Sequence, residues 1–220
     1  MVEGETVVSI LEIYRRYHLL PNLQTHQLRV AGVGLLLAES FDANVETDAI
    51  VQACLLHDMA NVIKFRLGDM PEVLEPEGLA YWQKVQIECK AKYGTDEHAA
   101  TDQILDEIGV AARVREIVHN MGFSKSASIL ASTDWELKII AYADQRVGPF
   151  GVISLAERLQ DLRVRYAHKI SVSDDARFAG HFENWLEIER QIFARCGIEP
   201  EEISEAKVIE KRPILETIAI

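Results

Sequence analysis

At 220 residues, 48% hydrophobic and 26% charged, the chain is long enough for one large or two small domains and apolar enough to bury a sizeable core. Its 35 acidic against 23 basic side chains leave a net charge of −12, which speaks against the broad basic face that nucleic acid or an anionic membrane would need. A small anionic substrate stays open, because a bound metal reverses the local field. The three cysteines, Cys54, Cys89 and Cys196, form no C-x-x-C pair, so neither a disulfide framework nor a thiolate zinc site is indicated. Cys54 and Cys89 sit in helical patterns and read as core thiols. No basic-then-apolar leader opens the chain, and the longest apolar run, Val30 to Ala38, is too short to span a bilayer. The expected location is the cytoplasm.

Helical periodicity dominates and no alternating strand stands out, so the expected fold is all-α, one domain over 1–220 with its core at about 20–165. Thr6 to Leu19 reads as a first helix ended by Pro21, and Asn22 to Glu39 as a second. Thr47 is placed to cap a third, running to about Asn61, that is apolar nearly all round and belongs at the centre of a core. Leu67 to Gly78, with Pro71 and Pro76, is a loop or short turn. Helices over Leu79–Tyr93, from Thr95 or Asp96 to Gly109, and over Val110–Met121 follow, each closed by a glycine. Ser124 to Ser132 reads as a polar loop. Thr133 and Glu136 have capping-box spacing and open a helix that reaches Asp144 before Pro149 and Gly151 break it; Ser154 and Glu157 form a second box. A long helix spans about Asp174 to Cys196. From Pro200 the tail is charged, then ends apolar at Ile214–Ile220, to pack back on the domain or on a second subunit; a homo-oligomer stays open.

Four of the seven histidines are placed unlike surface residues. His57 ends the most apolar helix and is followed at once by Asp58. Burying an imidazole and a carboxylate without partners is costly, and a divalent cation removes that cost by accepting the lone pair and neutralising the charge. For an isolated His-Asp dipeptide, a plain hydrogen bond at a helix end explains as much. His26, in the first turn of an amphipathic helix, and Asp144, ending the apolar run Ile139-Ile-Ala-Tyr-Ala143, change that balance. For Asp144 the competing partners are Arg146 or a backbone cap. His18, His168 and His181 lack such context and read as surface or packing residues.

The order His26, then Leu55-Leu56-His57-Asp58, then Ala141-Tyr142-Ala143-Asp144, resembles the H…HD…D pattern of the HD-domain superfamily over about Leu20 to Arg165. His98, opening one helix, and His119, ending the next, resemble the extra ligands of two-metal HD proteins, particularly the YqeK-like branch, which hydrolyses dinucleoside polyphosphates. Set against this, Asp96 or solvent would serve His98, and a helix C-terminus favours His119 as an imidazolium. Two departures bear on the substrate. Asn61 stands where many HD hydrolases have lysine, with Lys64 the nearest, and Phe123 follows His119-Asn-Met-Gly122 where the branch has a basic residue, with Lys125 further on.

The resemblance implies an HD helical bundle and a metal-dependent phosphohydrolase acting on a nucleotide or related phosphate ester. It implies one or two divalent ions, iron favoured if there are two, with manganese, cobalt, nickel or magnesium as the other choices. Asp58 would be the catalytic, bridging carboxylate; His26, His57 and Asp144 would hold one ion, His98 and His119 the second. Four neutral imidazoles, two carboxylates and two ions leave the site positive, able to hold hydroxide and phosphate on an acidic protein. Lys64, Asn120, Lys125 and Arg146 are the secondary candidates for phosphate contacts, each with solvated charge or capping as its competing role. A di-iron HD-type oxygenase and a non-catalytic nucleotide sensor are the alternatives.

Overall fold

The computed structural model describes residues 8–166 and 172–220; His168 lies outside them. The described residues form an all-α helical bundle. Its eleven helices are α1 (Ile10–Arg16), α2 (Pro21–Ser40), α3 (Thr47–Leu56), α4 (Gly78–Tyr93), α5 (Glu97–Ile108), α6 (Ala112–Asn120), α7 (Ser126–Ala131), α8 (Trp135–Gln145), α9 (Leu155–Tyr166), α10 (Val172–Phe193) and α11 (Glu205–Leu215). Extended pairing among these residues is limited to isolated bridges, such as Val147 with Val152. Buried apolar side chains from Ile10 to Leu215 make one continuous core.

The centre of that core is the α2–α3 pair, which α8 joins from the side. α3 earns this place by composition: Ile50, Ala53, Cys54, Leu55 and Leu56 are all fully buried. The close approach of α2 and α3 needs glycine. A Cβ on Gly34 would lie 2.8 Å from Cys54 Sγ and 3.2 Å from Ile50 Cγ2, so any side chain there would push α3 away. On the other side of α2, a Cβ on Gly32 would meet Val208 of α11 at 2.7 Å. Two features therefore seat α2 tightly between α3 and α11, six and eight residues along the helix from His26.

Several helix boundaries follow the chain's local chemistry. Gly94 and Gly109 close α4 and α5 with positive φ, 92° and 81°. Asp96 caps α5 by accepting from the amides of His98 and Ala99 at 2.9 Å. The Ser154–Glu157 box forms reciprocally, at 2.8 Å from Ser154 N–H to Glu157 and 3.2 Å from Glu157 N–H to Ser154.

Elsewhere the structure corrects the sequence reading. The Thr133–Glu136 box is not made. Asp134 is the cap, taking the Leu137 amide at 3.0 Å, while Glu136 accepts from the backbone of Glu46 and from Arg113. Thr47 lies inside α3 and caps nothing. α3 ends at Leu56, and Asn61–Lys64 is a separate 3-10 turn. The expected polar loop at 124–132 holds α7, because Ser126 and Ile129, one turn apart, are both fully buried. The charged stretch after Pro200 is α11, with Pro213 tolerated in its last turn. The apolar end packs on its own chain: Ile10 donates to Ile218 O at 2.9 Å and Ile220 to Val8 O at 3.0 Å.

Arg113 clamps the start of α8, gripping Asp134 with two bonds of 2.7 and 2.8 Å. Burial alone would raise the Asp134 carboxyl, but Arg113 and the Leu137 amide hold it below the usual range. The folded carboxyl thus takes up a proton less readily than the unfolded one. Its contribution is complete above about pH 4 and fades as pH falls through the lower folded value. Asp134→Asn, which keeps the cap but loses the charge, is expected to cost about 1–2 kcal/mol at pH 7. The gap in urea midpoint between variant and wild type should close below about pH 4; a gap unchanged from pH 7 to pH 3 would refute the account.

Candidate metal centre

Four side chains from three distant segments meet where α2, α3 and α8 converge. His26 comes from the second turn of α2, His57 and Asp58 from the turn that ends α3, and Asp144 from the last turn of α8. Each imidazole Nε2 faces both carboxylates. His26 Nε2 is 3.1 Å from Asp144 Oδ1 and 3.9 Å from Asp58 Oδ2. His57 Nε2 is 3.6 Å from Asp144 Oδ1 and 3.7 Å from Asp58 Oδ2. One ligand atom from each of His26, His57 and Asp58 lies within 4.8 Å of the others. About a fifth of the His26, Asp58 and Asp144 side chains is exposed, against 3% for His57, so the cluster is a recess with an open mouth and a dry floor.

The backbone fixes how His57 presents itself. It sits at the C-cap of α3 with helical φ and ψ, so its ring folds back and Nδ1 lies 2.9 Å from Cys54 O. A carbonyl only accepts, so Nδ1 carries the hydrogen and, in the neutral ring, Nε2 presents a lone pair to the cluster. Tyr14 of α1, fully buried, donates to Leu55 O at 2.7 Å and braces the same last turn of α3.

His57 Nε2 is buried and has no hydrogen-bond partner. Of the six buried side-chain polar atoms left without one among the described residues, three belong to the cluster or to residues bonded to it: His57 Nε2, Gln27 Nε2 and Gln145 Oε1. Buried polar atoms are seldom left unpaired, and an ion or water among them would satisfy these. Two nitrogens and two carboxylate oxygens suit a divalent transition ion. Ligand bonds of about 2.0–2.2 Å need neighbouring ligand atoms about 3–3.6 Å apart, so His26, His57 and Asp58, whose ligand atoms lie within 4.8 Å of one another, would draw together on sharing an ion.

The charges of the ion-free cluster lean the same way. Burial alone would lower the His57 imidazole, but Asp58 and Asp144 outweigh it and push it up to about 9. Burial would raise Asp144, yet His26 and His57 hold it well below the usual carboxylate range. The two carboxylates demand positive charge between them. Cys54, beneath, is wholly buried, and burial and then Asp144 raise its thiol, so it is no nucleophile.

The remaining candidates lie elsewhere. His98 is 76% exposed beside Glu97, and His119 is 67% exposed with Nδ1 2.8 Å from Asp102. Neither joins the cluster of four. Lys64 pairs with Glu97 at 3.7 Å, Asn120 donates to Glu116 O, and Lys125 donates to His119 O. Arg146 is 3% exposed, and all five of its donors are spent on Ile153 O, Tyr142 Oη, Pro200 O and Ile203 O. His18 bonds Tyr81 and His181 bonds Ser126. A cavity of about 230 Å³ between α1, α4 and α5 is lined by Met59 but by none of the four clustered residues.

Sequence reasoning missed Gln27 and Gln145. Gln27 accepts the Asp58 amide at 3.3 Å, and Gln145 donates to Asp144 Oδ2 at 2.9 Å. Each is a fully or nearly fully buried amide next to a candidate ligand; a polar residue closing the apolar run of α8 was the available signal. Among the described residues no helix is long and apolar enough to cross a membrane. Set against known proteins, the chain matches no family model, no curated protein and no solved structure.

Proposed function

We propose that this chain is a divalent-ion-dependent phosphohydrolase of the HD kind, acting on a nucleotide or related small phosphate ester. The observation that carries the reading is the buried, unpartnered Nε2 of His57, aimed between two carboxylates and a second imidazole on three different helices. Without an ion such a core has only a charged imidazole to set against two carboxylates, whereas a divalent ion offsets both at once.

A bound divalent ion would supply Lewis acidity, polarising a phosphoryl oxygen and lowering the pKa of a water. The chain's own residues do the rest. His26 and His57 provide neutral donors, the latter fixed in orientation by Cys54 O. Asp58 and Asp144 cancel the ion's double charge, leaving the centre neutral instead of repelling a phosphate. The buried wall of α3 and α8 excludes solvent on one side, so approach is through the open mouth where Asp58 and Asp144 are partly exposed. The geometry supports one ion here, and hydrolysis requires no more than one. A di-iron oxygenase would need a second ion held away from this cluster, at His98 and His119.

The direct test is phosphate release from a panel of nucleotides and dinucleoside polyphosphates with Mn²⁺, Co²⁺ or Fe²⁺ added in turn. Release that depends on the ion and stops with chelator is expected. Stoichiometric ion binding with no release from any phosphate ester would sink the hydrolase reading while sparing the ion site.

A further inference from the structure

Asp144 shows its two oxygens to different partners. Oδ1 faces His26 at 3.1 Å and His57 at 3.6 Å, while Oδ2 accepts from Gln145 Nε2 at 2.9 Å. Gln145 is 2% exposed, and its own Oε1 is buried without a partner. A buried amide with one end unsatisfied is an unfavourable choice for packing alone; an apolar residue would fill the space without that penalty. The amide is retained for the bond it does make. The neighbouring helix repeats the device: Gln27, fully buried, holds the Asp58 amide through Oε1 and leaves Nε2 unpaired.

We propose that Gln145 is a positioning residue that holds Asp144 in single-oxygen ligation, tying Oδ2 back so that only Oδ1 is offered to the ion. The proposal rests on the ion-site reading above and says something further: how many positions the chain fills. Nε2 of His26, Nε2 of His57, Oδ2 of Asp58 and Oδ1 of Asp144 make four. Four donors from the chain would leave an ion that takes more than four ligands open to water and to a substrate oxygen. Without the amide, Oδ2 is free to swing in, or the carboxylate to rotate, and the geometry offered to the ion is no longer fixed. Gln27 braces the backbone of Asp58 and leaves both of its carboxylate oxygens untouched.

Gln145→Met tests this, since methionine matches glutamine in length and volume and lacks the donor. The ion-free variant is expected to keep wild-type helicity and to melt within a few degrees of wild type. Its Mn²⁺ affinity, by titration calorimetry, is expected to fall about 10–100-fold, as when the hydrogen bond behind a ligand is removed. A space-filling role predicts the same fold with unchanged affinity, and an affinity within twofold of wild type would overturn the proposal. A wild-type protein that binds no Mn²⁺, Co²⁺ or Fe²⁺ would overturn the ion reading and take this proposal with it. If the variant fails to fold, the unmodified protein still decides. In a ¹⁵N-labelled wild-type sample the Gln145 side-chain amide, traced from its backbone, should exchange slowly and shift when Mg²⁺ or Zn²⁺ binds. Fast exchange with no shift at saturating ion would equally overturn the role.

Discussion

His57→Ala is expected to weaken divalent-ion binding by at least ~100-fold and to abolish any ion-dependent gain in stability. The lower bound follows because losing a hydrogen bond behind a ligand already costs about 10–100-fold, and His57 is proposed as the ligand itself. No other side chain can replace it. Its Nε2 lies on the dry floor of the cluster, 3% exposed, and the ring beneath is held by Cys54 O. For wild type, an ion at 100 times its dissociation constant stabilises the fold by about 2.7 kcal/mol. In a chain of this length that raises the melting temperature by about 5–10 °C. The variant should melt lower than wild type even without ion, because truncating a buried ring leaves a cavity. What separates the ion account from mere packing is the response to added Mn²⁺ or Co²⁺. A rise of several degrees in wild type and none in His57→Ala is expected. An equal rise in both would remove His57 from the site, and no rise in wild type would remove the ion.

What the sequence revealed and what it hid divide along physical lines. α3 was legible because it is apolar nearly all round, and α8 because of its apolar run Ile139–Ala143, both of which ask for a central position; the structure buries Leu55, Leu56, Ile139 and Ile140 completely. A charged residue ending such a run is conspicuous, and Asp58 and Asp144 were found that way. Their meeting with His26 was not legible from patterning, since His26 lies in an ordinary amphipathic turn. It was suggested only by the order of the H…HD…D elements. The convergence itself depends on Gly34 and its contact with Cys54, a property of two surfaces and not of either segment. His98 and His119 show the limit. Their place at helix ends was read correctly, but whether an end faces a cluster or solvent depends on tertiary packing, and both are well exposed. α7 and α11 were missed because one has only six residues and the other carries Pro213, so neither shows a long periodic face. The Thr133–Glu136 box failed for a related reason: Arg113 and the Glu46 amide, remote in sequence, claim Glu136.

Arg146 is the position where the two readings of a basic residue near the site diverge most in their consequences. As a phosphate contact, it would lower substrate affinity when replaced and leave the fold alone. Its environment predicts the reverse. The guanidinium is buried between α8 and the segment leading into α11, and it is the common donor to Ile153 O, Pro200 O and Ile203 O, with Tyr142 Oη at 2.9 Å. Tyr142 in turn donates to Glu189 of α10 at 2.6 Å, so Arg146 and Tyr142 together tie α8 to α10 and to the chain before α11. Arg146→Ala would strand several buried carbonyls and open a cavity. Stranded acceptors cost about 1–3 kcal/mol each when fully buried, and truncation of a large buried side chain costs about as much again. Partial relaxation and water entry bring the expected loss to about 4 kcal/mol, or roughly 8–16 °C in melting temperature. Arg146→Lys keeps the charge but has three donors for the five now used, so it should recover only part of the loss. Measured well below its own melting temperature, Arg146→Ala should still bind Mn²⁺ with near wild-type affinity, because α2, α3 and most of α8 are held by their own core. A variant that melts within 2 °C of wild type yet loses substrate affinity would return Arg146 to the active site.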